Sequence, residues 1–137
     1  MKKYLFFYLI ISALFFSSCQ NKPKNNNDLI VNTWECYKTE IDPASTTSED
    51  VAKDLKFAIS KSKNEVLTFN KNGTFKSIKG ASESEGKYSF SKDNKSLILH
   101  YSFGNQSRYT ILTLDKEFLK LKFEFGVPII SYYSVKK

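Results

Sequence analysis

The chain has 137 residues, of which 41% are hydrophobic and 26% charged, with 21 basic against 14 acidic residues and a net charge of +7. That length suits one domain with a single core, and the basic excess would suit nucleic acid if it were clustered and arginine-rich. It is neither: Arg108 is the sole arginine and the lysines are scattered, so bidentate phosphate or base recognition is set aside for a solvated surface. Weak attraction to an anionic lipid surface stays open.

The first element is Lys2-Lys3 followed by the apolar run Tyr4 to Phe16, "YLFFYLIISALFF". At 1.5 Å per residue this run makes about 20 Å of helix, short of the roughly 20 residues needed to span a bilayer. A basic start, a short apolar core and the small residues Ser17 and Ser18 before a break predict a secretory signal peptide over residues 1–18. A buried N-terminal helix fits less well, because no face is polar. "Phe16-Ser17-Ser18-Cys19" resembles the lipobox of bacterial lipoproteins, with Phe16 where Leu is usual. The resemblance implies that Cys19 becomes the first mature residue and carries lipid, with palmitate as a suitable label. Two or three acyl chains would anchor the protein stably where one would not. The membrane is then a partner through Cys19, and the expected location is the cell envelope, on the outer membrane facing the periplasm.

Residues 19–28 follow as the lipidated cysteine and a tether, because "QNKPKNNND" has no apolar residue with which to offset the entropy of ordering. The tether reaches at most about 30 Å. Residues 29–137 are the domain. With Lys2 and Lys3 removed, the charge falls from +7 to +5. With Cys19 lipidated, Cys36 has no intramolecular partner and no disulfide is expected. Two residues after Trp34 on a strand, Cys36 shares the Trp34 face and reads as a buried, inert thiol.

"LIVNTWECYKT" (Leu29 to Thr39), rich in β-branched and aromatic residues, predicts the first strand. A helix is expected over residues 48–60: Thr46 and Glu49 fit a capping box, and Val51, Leu55 and Ile59 form an apolar stripe. It would lie against a sheet or close one end of a barrel. "VLTFNKNGTFKSI" is a hairpin turning at Asn72-Gly73, and "GASESEG" reads as a polar loop. In "KYSFSKDNKSLILHYSF", Tyr88 and Phe90 alternate on one arm, and Leu97, Leu99, Tyr101 and Phe103 on the other. "RYTILTL", "FLKLKFEF" with Leu119, Leu121, Phe123 and Phe125 in phase, and "IISYYSV" complete eight strands. Alternation throughout predicts antiparallel pairing with one buried face. Eight such strands remove their edges by closing, so the expected fold is an all-β, eight-stranded antiparallel up-and-down barrel with one short helix after the first strand.

"Asn32-Thr33-Trp34" on the first strand, with "LTFNKNGTFKS", "GKYSFSKDNKSLIL" and "YTILTLDKEFLKLKFE" in that order, resembles the lipocalin-like domains of bacterial envelope lipoproteins over about residues 29–135. The first tripeptide is similar to the family's G-x-W signature, with Asn32 in place of Gly; Asn tolerates left-handed backbone better than other non-glycine residues. The resemblance implies that Trp34 plugs the barrel floor.

Chemistry is sparse. His100 is the sole histidine and lies out of phase with Leu99 and Tyr101, towards solvent. The acidic stretches "SED" (48–50) and "SESE" (82–85) read as helix-start charge and loop solubility, and there is no glycine-rich phosphate loop. No catalytic residue, metal site or cofactor is expected, and a hydrolase would need His100 beside a serine and a carboxylate. Binding is the stronger reading. The aromatic residues Trp34, Phe69, Phe75, Tyr88, Phe90, Tyr101, Phe103 and Phe123 fall on the inward phase and are the candidate lining for a small hydrophobic ligand. Alternatively they fill the barrel, which then serves as a structural module or docks onto another envelope protein.

Overall fold

The computed structural model describes residues 25–45, 48–60, 64–124 and 126–137. The expected signal segment, Cys19, the Thr46 half of the capping box and Phe125 lie outside these residues.

A helix lies across the expected start of the domain. A short helix, α1 (Asn26–Ile30), is capped by Asn25, whose side chain accepts from the Asn27 backbone N–H, and it carries Asp28 in its first turn. Ile30 is fully buried and supplies the apolar contact that a wholly polar tether lacks. The expected first strand is thereby split: Leu29 and Ile30 are helical, and β1 runs Thr33–Ile41. Helix α2 (Glu49–Ser60) follows, with Glu49 and Asp50 in its first turn. The remaining strands are β2 (Val66–Phe69), β3 (Thr74–Lys79), β4 (Ser82–Phe90), β5 (Ser96–Tyr101), β6 (Gln106–Leu114), β7 (Phe118–Phe123) and β8 (Ile129–Val135).

Each strand pairs antiparallel with its neighbours in sequence, and β8 pairs back onto β1 to form a closed barrel in the order β1 to β8. Short turns make this arrangement feasible: Gly73, with φ +80°, sits after Asn72, whose side chain accepts from the Thr74 N–H at 3.1 Å. Asn32 needs no left-handed backbone: among the described residues, positive φ outside glycine falls at Asn64 and Asn94. Instead its side-chain oxygen accepts from the Thr33 N–H, and its carbonyl accepts from the Phe69 N–H.

Two irregularities set which side chains face inward. The register shifts between Cys36 and Lys38 in β1, and between Ile111 and Thr113 in β6. In each, one extra residue reverses the alternation, so Cys36 and Thr39 both point inward and Tyr37 is left outside, 56% exposed.

One half of the barrel is solid. Trp34, Leu67, Phe69, Phe75, Leu97, Leu99, Leu119 and Leu121 are all at most 3% exposed and form one cluster with Ile30. Side chains of this kind contribute about 1.5–3 kcal/mol each on burial. The Trp34 Nε1–H donates to the Ile30 carbonyl at 2.8 Å, which fastens α1 beneath the barrel. Asn26 adds a bond from its side-chain nitrogen to the Asn94 carbonyl in the β4–β5 turn. This end, with the turns after β2, β4 and β6, is the floor. The mouth is the opposite end, where α2 connects β1 to β2.

Candidate functional site at the barrel mouth

Along every strand the inward side chains change character between floor and mouth. In β3 the inward series runs Phe75, Ser77, Lys79; in β4 it runs from Phe90 and Tyr88 through Gly86 to Ser84 and Ser82. Above the packed cluster this leaves a cavity of about 430 Å³ that opens at the mouth. Its upper wall takes Ile59 from α2, so the helix leans over the opening, as expected for an element that closes one end. Val51, at the start of the expected stripe, is 44% exposed and faces away.

The polar centre of the cavity is Glu65, one residue before β2. Ser77 Oγ donates to Glu65 Oε1 at 2.9 Å, and the Tyr133 hydroxyl donates to Oε2 at 2.8 Å. Two donors hold the carboxylate in one orientation, and its remaining lone pairs are available to the cavity. Tyr109 stands nearby and borders the same cavity. Burial raises the pKa of Tyr109 and Tyr133, and the Glu65 charge adds to the rise in both; the phenols therefore remain protonated donors. Thr39 and Ser131, 3.4 Å apart through their hydroxyls, continue the polar wall, and Ile129 and Phe123 supply apolar surface.

The expected aromatic lining divides in three. Trp34, Phe69, Phe75, Tyr88 and Phe90 belong to the floor, either in the buried cluster or packed on it. They meet largely edge to face, Phe69 with Tyr88 at 5.1 Å and Tyr88 with Phe90 at 6.2 Å between ring centres, as quadrupoles favour. Of the eight expected residues, Tyr101 and Phe123 line the cavity. Phe103 is a correction: it sits in the β5–β6 turn, 67% exposed, stacked on Tyr101 from outside with ring centres 5.1 Å apart. β5 ends at Tyr101, so the alternation that places Phe103 inward stops one step short of it. The cavity is accordingly more polar than a pocket lined by these rings would be.

Sequence reasoning missed Glu65, Ser77, Ser82, Ser84, Tyr109, Ser131 and Tyr133. The expected loop "GASESEG" is in fact mostly strand, since β4 begins at Ser82. A signal was available: Glu65 shares the phase of Leu67 and Phe69, and Ser77 that of Phe75. Extending the inward phase through polar residues would have reached both.

Outside the mouth, Cys36 is buried, its thiol pKa raised by burial, with Sγ 3.3 Å from Thr39 Oγ1. His100 is exposed on the outer face, with Nε2 3.2 Å from Ser89 Oγ. Among the described residues no carboxylate hydrogen-bonds that ring, and no group of three or more His, Cys, Asp or Glu side chains could hold a metal ion. Two clefts of about 480 and 490 Å³ flank α1 at the floor, but they lie outside the barrel.

A family model described as "Lipocalin-like domain" matches residues 30–121. Among solved structures, the chain is similar to a DUF4847 family protein from Bacteroides vulgatus ATCC 8482, at 14% identity and a TM-score of 0.50, covering 80% of this chain and 95% of that one. No curated protein matches it.

Proposed function

This chain belongs to the lipocalin-like domain family, and from that premise we propose that it is a non-enzymatic binding protein that holds one small molecule in the mouth of its barrel. The observation that carries the reading is the half-filled interior. The floor is packed solid, whereas the mouth keeps about 430 Å³ of space, within the range of roughly 300–1,000 Å³ usual for ligand sites. A filled barrel that docks onto another envelope protein would instead need the mouth packed like the floor.

In this reading the barrel is tethered to the cell envelope through lipid on Cys19, on the outer membrane facing the periplasm. Support comes from the lipobox-like "FSSC" after a short apolar run. Labelled palmitate should enter the natural chain and fail to enter Cys19→Ala; labelling of both would end the anchor proposal. Native mass spectrometry of the envelope-purified protein should detect a co-purifying small molecule. Ser84→Trp, which puts a bulky ring into the cavity, should abolish its retention. Equal retention by the variant would exclude the barrel mouth as the site.

A further inference from the structure

We infer that the molecule held in the mouth carries a positively charged amino group, bound by the Glu65 carboxylate with tyrosine rings around it. This rests on the reading of the mouth as a small-molecule site and specifies the chemistry it selects.

The wall offers an acceptor where a fatty-acid or neutral apolar pocket would not. Glu65 is turned into the cavity and fixed by Ser77 and Tyr133. Among the described residues no cation lies within ion-pair distance of it. The cavity's one described cation, Lys79, is exposed at the end of β3, where its ammonium can turn to water. An incoming carboxylate would face the fixed negative charge of Glu65, a like-charge contact in a partly desolvated site. A purely apolar guest would strip water from the carboxylate and leave its spare lone pairs without donors. An ammonium group avoids both penalties and supplies donors of the matching charge.

The surroundings fit the same chemistry. Tyr101, Tyr109 and Tyr133 all border the cavity, and their ring faces attract cations. The Tyr133 hydroxyl is committed as well, since it donates to Glu65. Ile129 and Phe123 remain for the apolar part of the guest. The combination favours an organic amine with a modest hydrocarbon body.

The test is calorimetric titration of the full chain with hexylamine, hexanol and hexanoate, which share a body and differ in head group. Hexylamine should bind roughly tenfold to a hundredfold more tightly than hexanol, the range of a charge-assisted hydrogen bond, with hexanoate weakest. Glu65→Gln should bring hexylamine down to the level of hexanol. The ranking in the unaltered protein decides the matter even if Glu65→Gln fails to fold. Hexanol or hexanoate binding as tightly as hexylamine would overturn the amine inference and leave the binding-protein reading standing. No binding by any of the three would overturn both.

Discussion

Replacing Trp34 with alanine removes the largest fully buried side chain of the barrel. A buried aromatic of this kind withdraws about 150–250 Å² from water, which at about 25 cal/mol per Å² is worth roughly 4–6 kcal/mol. Direct large-to-small substitutions of buried Trp fall at about 3–5 kcal/mol. The 2.8 Å bond from Nε1 to the Ile30 carbonyl adds about 1 kcal/mol, and its loss leaves a buried acceptor unpaired. The sum approaches the whole stability of an ordinary domain, about 5–15 kcal/mol. With a urea slope near 2 kcal/mol per M, a loss of 4 kcal/mol lowers the midpoint by about 2 M. Trp34→Phe separates the two contributions: it keeps a ring, breaks the bond to α1, and should cost about 1–3 kcal/mol. Trp34 is the chain's sole tryptophan, so both variants should be followed by far-ultraviolet circular dichroism rather than fluorescence. A loss below about 1 kcal/mol for Trp34→Ala would refute the account of the floor, because no fully enclosed indole is removed that cheaply.

Gly86→Ala should cost about 1–3 kcal/mol, read as a lower melting temperature. A Cβ there would lie 2.0 Å from the His100 backbone oxygen, so β4 and β5 must move apart; an unchanged melting temperature would contradict that close approach. Tyr133→Phe should cost about 1.5–3 kcal/mol through the lost bond to the Glu65 carboxylate, and a neutral result would mean the bond is absent in solution. Alkaline stability follows from the raised phenols. Unfolded tyrosines titrate near pH 10, and Tyr109 and Tyr133 titrate higher when folded. The folded state then holds protons that the unfolded state has released, so the contribution of these groups is complete below about pH 10 and lost as the pH rises towards the folded values. Urea midpoints should fall steeply from about pH 10 upward, and less steeply in a Tyr109→Phe, Tyr133→Phe double variant. Equal slopes in the two proteins would remove the phenols as the cause.

The floor was legible in the sequence because its inward residues are apolar and most of its outward ones are polar. Leu97, Leu99, Leu119 and Leu121 announce strand, phase and burial together, and Asn72-Gly73 announces the turn. The mouth was not legible, for a physical reason. Where the inward residues are Ser82 and Ser84, both faces of the strand are polar, and alternation of hydrophobicity vanishes although alternation of side-chain direction continues. The bulge at Tyr37 hid Thr39 in another way, by moving the inward phase one residue along without a compositional trace. Helix α1 was missed because its anchoring comes from one buried Ile30, one indole bond and the Asn26 bond to the Asn94 carbonyl, none of which hydrophobic alternation announces.

Splitting each ribbon into a greasy lower part and a wet upper part has an evolutionary corollary. Changes confined to the upper rows leave the cohesion of the lower rows almost untouched, so the character of the opening can drift while architecture stays put. Sister domains sharing the same sealed base are then expected to differ in the chemistry of their openings, and likeness in the base says little about that chemistry.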